Sequence, residues 1–183
     1  MKYVFTADIG TTSLKACVFD ENLKLVSQYS IEYKLITDGN CVEFPAEDYF
    51  EIFMSAYDRL TKNLKIDGIC LDTQGETLIV ADEHGKPLYN AINWLDSRAQ
   101  EEAREIEGHF GIKQIYEITG QPEAAAGFPA PKLLWLKKHK PEIFLKTKKI
   151  FLLEDYILYR LTGNFRTERT LQSSSLYLNV NTG

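Results

Sequence analysis

The sequence predicts a mixed α/β domain, and three observations carry that prediction. The first 35 residues hold three short runs rich in β-branched and aromatic residues, separated by polar turns. From Pro45 the apolar spacing changes to three or four, which puts Tyr49, Phe53, Ala56, Tyr57, Leu60 and Leu64 on one helical face. Two apolar runs follow that helix, residues 66–72 and 77–81, and both read as strands, the first of them buried. No linker, repeat or low-complexity segment interrupts the chain, so no internal boundary is expected.

In chain order, residues 3–8 and 14–19 are strands joined by IGTTS, and residues 25–35 form a third strand after the polar turn at Asp20, Glu21 and Asn22. The three pair as an antiparallel meander, and the helix after Pro45 lies on that sheet. The run 77–81 closes at the turn Asp82, Glu83, His84, Gly85, so the order is βββαβ followed by one more strand. Ser97 with Gln100 makes a capping box, from which a charged outer helix runs to Gly108. Residues 131–139, with Leu133, Leu134, Trp135 and Leu136, form a helix that stops before Pro141. Residues 154–161 form another, with Ile157, Leu158 and Leu161 on one side and Gly163 at the C-terminal glycine position. A hydroxyl-rich stretch, 167–175, leads to a last strand-like run at 176–180.

A chain of 183 residues with 44% hydrophobic residues can bury a core. Its formal charge of −5 argues against nucleic-acid and anionic-membrane surfaces, which demand a basic face, and leaves small molecules as partners. Cys17, Cys41 and Cys70 lack C-x-x-C spacing, and His84, His109 and His139 are scattered, so neither a disulfide frame nor a zinc site is suggested. Core thiols in a reducing cytoplasm are expected. The start MKYVFTADIG has an apolar run too short and too interrupted for an export signal or a membrane span.

Two clusters carry candidate chemistry. A strand feeding the turn Gly10, Thr11, Thr12, Ser13 places backbone N–H groups and hydroxyls inside one bend, an arrangement that surrounds phosphate oxygens. Asp8 would repel bare phosphate, so its position makes sense with a divalent cation between the two anions, as in a magnesium nucleotide. Lys15 either neutralises a terminal phosphate or is a solvated strand residue. The same pattern also fits an ordinary hairpin, and on the residues alone both readings stand. Neither the Walker loop nor G-x-G-x-x-G is present, and both would sit between a strand and a helix.

The second cluster lies past the strand at 66–72. Glu76 can accept two hydroxyl protons, Gln74 both donates and accepts, and Gly75 leaves space beside them, which suits a polyol. Trp94 offers an indole face to sugar C–H groups, and Arg98, with Asp96 between, can brace carboxylates and loops. Without further information Gln-Gly-Glu also reads as a plain loop, Trp94 as core and Arg98 as a surface helix residue. Asp155 is equally a structural charge at a helix start.

The segment DIGTTSLKACVFD resembles the first phosphate motif of the FGGY carbohydrate kinases. DTQGETLIVAD from Asp72, NAINWLDSRAQ from Asn90, APKLLWLKKHKPE from Ala130, LLEDYILYRLTG from Leu152 and TERTLQSSSLYLNV from Thr167 keep that family's order. The resemblance spans essentially the whole chain. It implies a ribonuclease-H-like fold of the actin and hexokinase superfamily, with residues 1–183 as an N-terminal sugar-binding domain and a second, C-terminal lobe absent. It also implies ATP and Mg2+ as cofactors, with ATP held mainly by the missing lobe.

The implied reaction is transfer of the γ-phosphate to a primary hydroxyl of a ketose or polyol, with a xylulose-like pentulose favoured over a glycerol-like polyol. The resemblance assigns phosphate to Gly10, Thr11, Thr12, Ser13 and Lys15, the metal to Asp8, and the sugar to Gln74, Gly75, Glu76, Trp94, Asp96 and Arg98. Glycerol kinase has an arginine-glutamate pair, and xylulokinase a methionine-histidine pair, where this chain has Gly75 and Glu76, so the sugar stays open. Phe128 falls near an aromatic substrate contact of glycerol kinase. The family's base aspartate belongs to the second half, so no catalytic residue is expected here and the chain alone should be inactive. A face left exposed toward that half favours association, a homodimer among the outcomes. An actin-like nucleotide-binding or assembly module is the rival reading, and the Gln74 to Glu76 and Trp94 to Arg98 clusters speak against it.

Overall fold

A computed structural model describes residues 1–183. Its chain divides into two compact units, residues 1–35 with 47–74, and residues 36–46 with 75–183. The first unit holds the expected meander, β1 (Tyr3–Ile9), β2 (Ser13–Asp20) and β3 (Leu25–Glu32). Its inward positions alternate with period two: Phe5, Ala7 and Ile9 on β1, and Leu14, Ala16 and Val18 on β2, are all buried. In this unit β6 (Gly68–Thr73) adds to β1 in parallel and completes the sheet order β3-β2-β1-β6. The helix α1 (Ala46–Thr61) covers the sheet with Tyr49, Phe53 and Ala56, each fully buried. Phe5 meets Phe53 and Tyr57 edge-on, with ring centroids 5.7 and 5.2 Å apart.

The second unit is built on a five-stranded sheet of order β4-β5-β8-β7-β9, comprising β4 (Ile36–Asp38), β5 (Cys41–Phe44), β7 (Leu78–Ala81), β8 (Ala91–Ile92) and β9 (Lys149–Leu152). Every residue of β7 is buried, as its unbroken apolar run requires. Around it stand α2 (Gln100–Phe110), α3 (Ile112–Thr119), α4 (Pro129–His139), α5 (Pro141–Lys146), α6 (Leu153–Thr162) and α7 (Arg169–Gln172). Leu78, Val80, Ile92 and Leu136 form its main apolar cluster, and Ala103, Ile115 and Ala124 a second, smaller one. Gly163 ends α6 at φ 72°, a left-handed position where a side chain would be strained. No helix is long and apolar enough to cross a membrane.

Several expectations from the sequence are corrected. The strand at 66–72 is not buried: β6 is an edge strand, with Ile69 40% exposed and Cys70 exposed. Cys17 and Cys41 are half-buried, so none of the three thiols lies fully in a core. The capping box at Ser97 and Gln100 does not form, because Ser97 N donates to Asn40 O and Arg98 N to Asp96 Oδ1. That turn delays the helix to Gln100, and it then runs past Gly108 to Phe110 with Glu102 buried. Residues 176–180 are not a strand. Leu176 takes φ 64°, which breaks an extended run, and packs against the cluster at Ala103 and Ile115.

Candidate functional site

In the first unit, β1 and β6 are parallel and in register from Val4↔Gly68 to Ile9↔Thr73, so the turns after them leave the sheet at the same end. One is the β1–β2 hairpin, closed by Gly10 N donating to Ser13 O at 3.0 Å. The other begins at Gln74, whose N–H donates to Ile9 O at 2.9 Å and whose Nε2 donates to Tyr49 Oη at 3.0 Å. Tyr33 Oη donates to Gly10 O, and its ring meets Tyr49 edge-on at 5.7 Å. Burial first, then Tyr49 and Asp8, raise the Tyr33 phenol above its usual range, so it stays a proton donor to the hairpin. The half-buried Tyr33 and the buried Tyr49 thus link the hairpin to Gln74; Tyr49 reads in the sequence only as part of an apolar helix face, and Tyr33 has no signature there.

Asp8 is exposed near the end of β1. A Cβ at Gly10 would stand 3.4 Å from Ser13 O and 3.9 Å from Asp8 Oδ1, so the carboxylate lies directly beside the hairpin bend. Asp8 is in register with Lys15 on β2 and with Asp72 on β6, which makes a row of cation and two carboxylates on one face of the sheet. Asp72 was not a candidate, because only the parallel register reveals it as Asp8's neighbour. Thr12 and Ser13 line an open cleft of about 580 Å³ with Glu32, Tyr33 and Lys34.

The remaining candidates lie in the second unit. Gly75 has open space where a side chain would be, and Glu76 is half-buried with φ 53°. A glutamate in the left-handed region is strained by about 1–3 kcal/mol, so the surrounding structure must hold it there. Lys132 on α4 is fully buried, and its Nζ donates to Asn93 O at 2.8 Å and to Glu76 O at 3.3 Å. Burial pulls its amine down to about 7, although Asp96 and Glu76 push the other way.

The Trp94 loop is braced from within. Asp96 is fully buried and accepts from Val42 N at 2.6 Å, Arg98 N at 3.0 Å and Arg98 Nη2 at 2.7 Å. Arg98 Nη2 also pairs with Glu43 Oε1 at 2.6 Å, and Glu43 Oε2 accepts from Asn90 Nδ2 at 2.8 Å. The guanidinium lies over Trp135, 4.8 Å from its ring centroid. Burial opposes its charge, but hydrogen bonds to Asp96 and Glu43 outweigh burial and hold it above its usual range. Asp96 and Arg98 therefore meet each other rather than solvent, while Trp94 is 42% exposed. A Cβ at Gly127 would come within 2.9 Å of Trp94 O, so only glycine permits that approach, and Phe128 follows as a half-buried residue at the start of α4. Asp155 is buried in α6 and accepts from Leu152 N, Thr167 Oγ1 and Gln172 Nε2, all within its own end of the unit.

The chain matches the family model described as the FGGY family of carbohydrate kinases, N-terminal domain, over residues 3–183. It is 33% identical to the xylulose kinase of Lactococcus lactis, over 98% of this chain and 37% of that protein. It is 32% identical to the glycerol kinase of Thermococcus kodakarensis, over 98% of this chain and 38% of that protein. The crystal structure of gluconate kinase from Lactobacillus acidophilus superposes with a TM-score of 0.91 at 33% identity, over 99% of this chain and 37% of the other. The fold is thus that of sugar kinases of the ribonuclease-H-like actin and hexokinase type, and the chain spans less than two fifths of these relatives.

Proposed function

The chain belongs to the FGGY family of carbohydrate kinases, and from that premise we propose that it is the sugar-binding N-terminal part of an ATP-dependent kinase for a primary hydroxyl of a ketose or polyol, a xylulose-like pentulose favoured. The observation that carries this reading is the contrast around Trp94: the residue is 42% exposed, while the charges of Asp96 and Arg98, which follow it in the same loop, and of Glu43 are spent on one another. Such a loop is a stiff wall with an apolar face, the surface that sugar C–H groups stack on. Glu76, half-buried and acceptor-only when ionised, supplies the polar counterpart for a pair of hydroxyls. A glycerol-like polyol is the second reading, favoured because Glu76 matches the glutamate of the arginine-glutamate pair of glycerol kinase.

The hairpin fits a magnesium nucleotide on one observation: the exposed Asp8 carboxylate lies beside the Gly10 bend, its Oδ1 3.9 Å from where a Cβ at Gly10 would stand. Asp8 would hold the cation, and the backbone of Gly10, Thr11, Thr12 and Ser13 would face phosphate oxygens, with Lys15 in the same row. Magnesium ATP, when bound, supplies the transferable phosphoryl group and screens its charge. The task of this domain is then to orient the sugar hydroxyl and exclude water from it.

The test uses the complete kinase with a panel of pentuloses, hexuloses, gluconate and glycerol. Glu76→Ala should raise the sugar KM at least tenfold with ligand-free stability nearly unchanged, since a lost charged hydrogen bond at a partly desolvated site costs on the order of 2 kcal/mol. Asp8→Asn should lower magnesium-dependent turnover while calorimetric sugar affinity holds. An unaltered KM for every sugar in the Glu76 variant would remove Glu76 from the pocket.

A further inference from the structure

We propose that Lys132 is a positioning residue for the sugar site, a buried tether that aims the Glu76 side chain by fixing the Glu76 and Asn93 carbonyls at once. This rests on the assignment of Glu76 as a sugar ligand. Lys132 belongs to a run of lysines and leucines on α4, yet unlike Lys137 and Lys138 it is fully buried. Its Nζ bonds to backbone carbonyls on two separate loops, Asn93 O at 2.8 Å and Glu76 O at 3.3 Å. A buried amine bonded to two carbonyls is costly as an ordinary stabilising device, since an apolar side chain of equal length would pack there without desolvation.

The geometry gives it a use. Glu76 sits at φ 53°, and its neighbour Gly75 offers no steric restraint. A residue held in the left-handed region returns to ordinary backbone angles unless something fixes its peptide plane. The Lys132 bond to Glu76 O does so, and with it sets the direction of the Cα–Cβ bond that carries the carboxylate. The bond to Asn93 O does the same for the loop that begins with Trp94, because Asn93 O also accepts Asp96 N at 3.0 Å. One ammonium or amine head thereby registers the hydroxyl acceptor against the indole wall.

The test is a double-mutant cycle in the complete kinase, joined to hydrogen exchange on the 183-residue chain. Lys132→Met keeps the length of the stem and removes the donors. Alone, it should raise the sugar KM about tenfold with kcat within about twofold, and it should speed backbone exchange at residues 76–77 and 93–96. In a Glu76→Ala background the same change should add less than about twofold to KM, because the tether acts through Glu76. An equal penalty in both backgrounds, or an unchanged KM in the single variant, overturns the proposal. Lys132→Gln, which restores a shorter donor, should fall between wild type and Lys132→Met, and it replaces the methionine variant if that one fails to fold. If the wild-type kinase takes no sugar, the functional reading fails by itself, and hydrogen exchange then decides the tether: unchanged exchange in Lys132→Met refutes it.

Discussion

Arg98 turns its guanidinium inward and spends it on Asp96, Glu43 and Tyr89. With the side chains of Arg98 and Asp96 at 5% and 0% exposure, removing the fork leaves two carboxylates without their cation. Arg98→Lys keeps the charge but cannot reproduce the bidentate geometry, so it should lower unfolding free energy by about 3 kcal/mol in denaturant titration. A loss below about 1 kcal/mol would mean the brace is dispensable. Glu76 makes the opposite prediction. Its left-handed backbone is a strain that glycine does not feel, so Glu76→Gly should leave the melting temperature unchanged or raised while the sugar KM rises at least tenfold. A fall of several degrees would assign Glu76 a structural task instead. Glu76, Trp94 and Asp8 were candidates in the sequence through the family resemblance, since the residues alone also read as a plain loop, a core side chain and an ordinary hairpin. Lys132, Tyr33 and Glu43 were not. Lys132 reads as the solvated side of a helix, and only the packing of α4 reveals where its head group goes.

At the scale of elements, long periodic segments were readable and short ones were not. The alternation of β1 and β2 and the apolar face of α1 extend over seven or more residues, enough to reveal their period. The hairpin of β4 and β5 has strands of three and four residues, and its signal is the local turn pair Gly39 and Asn40, with Gly39 at φ 55°. β9 is four residues long and runs straight into α6, so its pattern merges with the helix. Helix α4 carries a consequence of its own for pH. Burial pulls Lys132 down to about 7, with Asp96 and Glu76 raising it and Arg98 lowering it. Between about 7 and the unfolded value of about 10.4, the unfolded chain binds more protons than the native one, so stability rises with pH, by at most about 1.4 kcal/mol per unit. Below about 7 the amine is charged in both states and the cost of burying it is borne in full. The difference in unfolding free energy between wild type and Lys132→Met should therefore shift in favour of wild type from about pH 7 to about pH 9. A flat difference in urea titrations across that window would show that the buried amine does not titrate there.

At the scale of the whole molecule, the chain passes between its two compact units at residues 35/36, 46/47 and 74/75. None of those passages has linker composition, since 35/36 and 74/75 fall at closely spaced elements and 46/47 falls in the first turn of α1, and for that reason the division was invisible in the sequence. The chain also spans 37% and 38% of two relatives that it resembles over nearly its full length. By itself it should release no ADP in a coupled assay with any sugar of the panel, and turnover of about 1–100 per second would overturn the need for a second lobe. The sheet of the first unit ends at β6, which has a strand neighbour on one side only. An open ladder is a template: its unanswered amides and carbonyls recruit any extended segment that drifts past. In a preparation of the 183-residue chain β6 is then a seed for growth, with Ile69 adding an apolar lure and Cys70 an oxidisable rivet between joined copies. Turbidity that climbs with protein concentration and recedes under thiol reductant is the signature such a seed would leave.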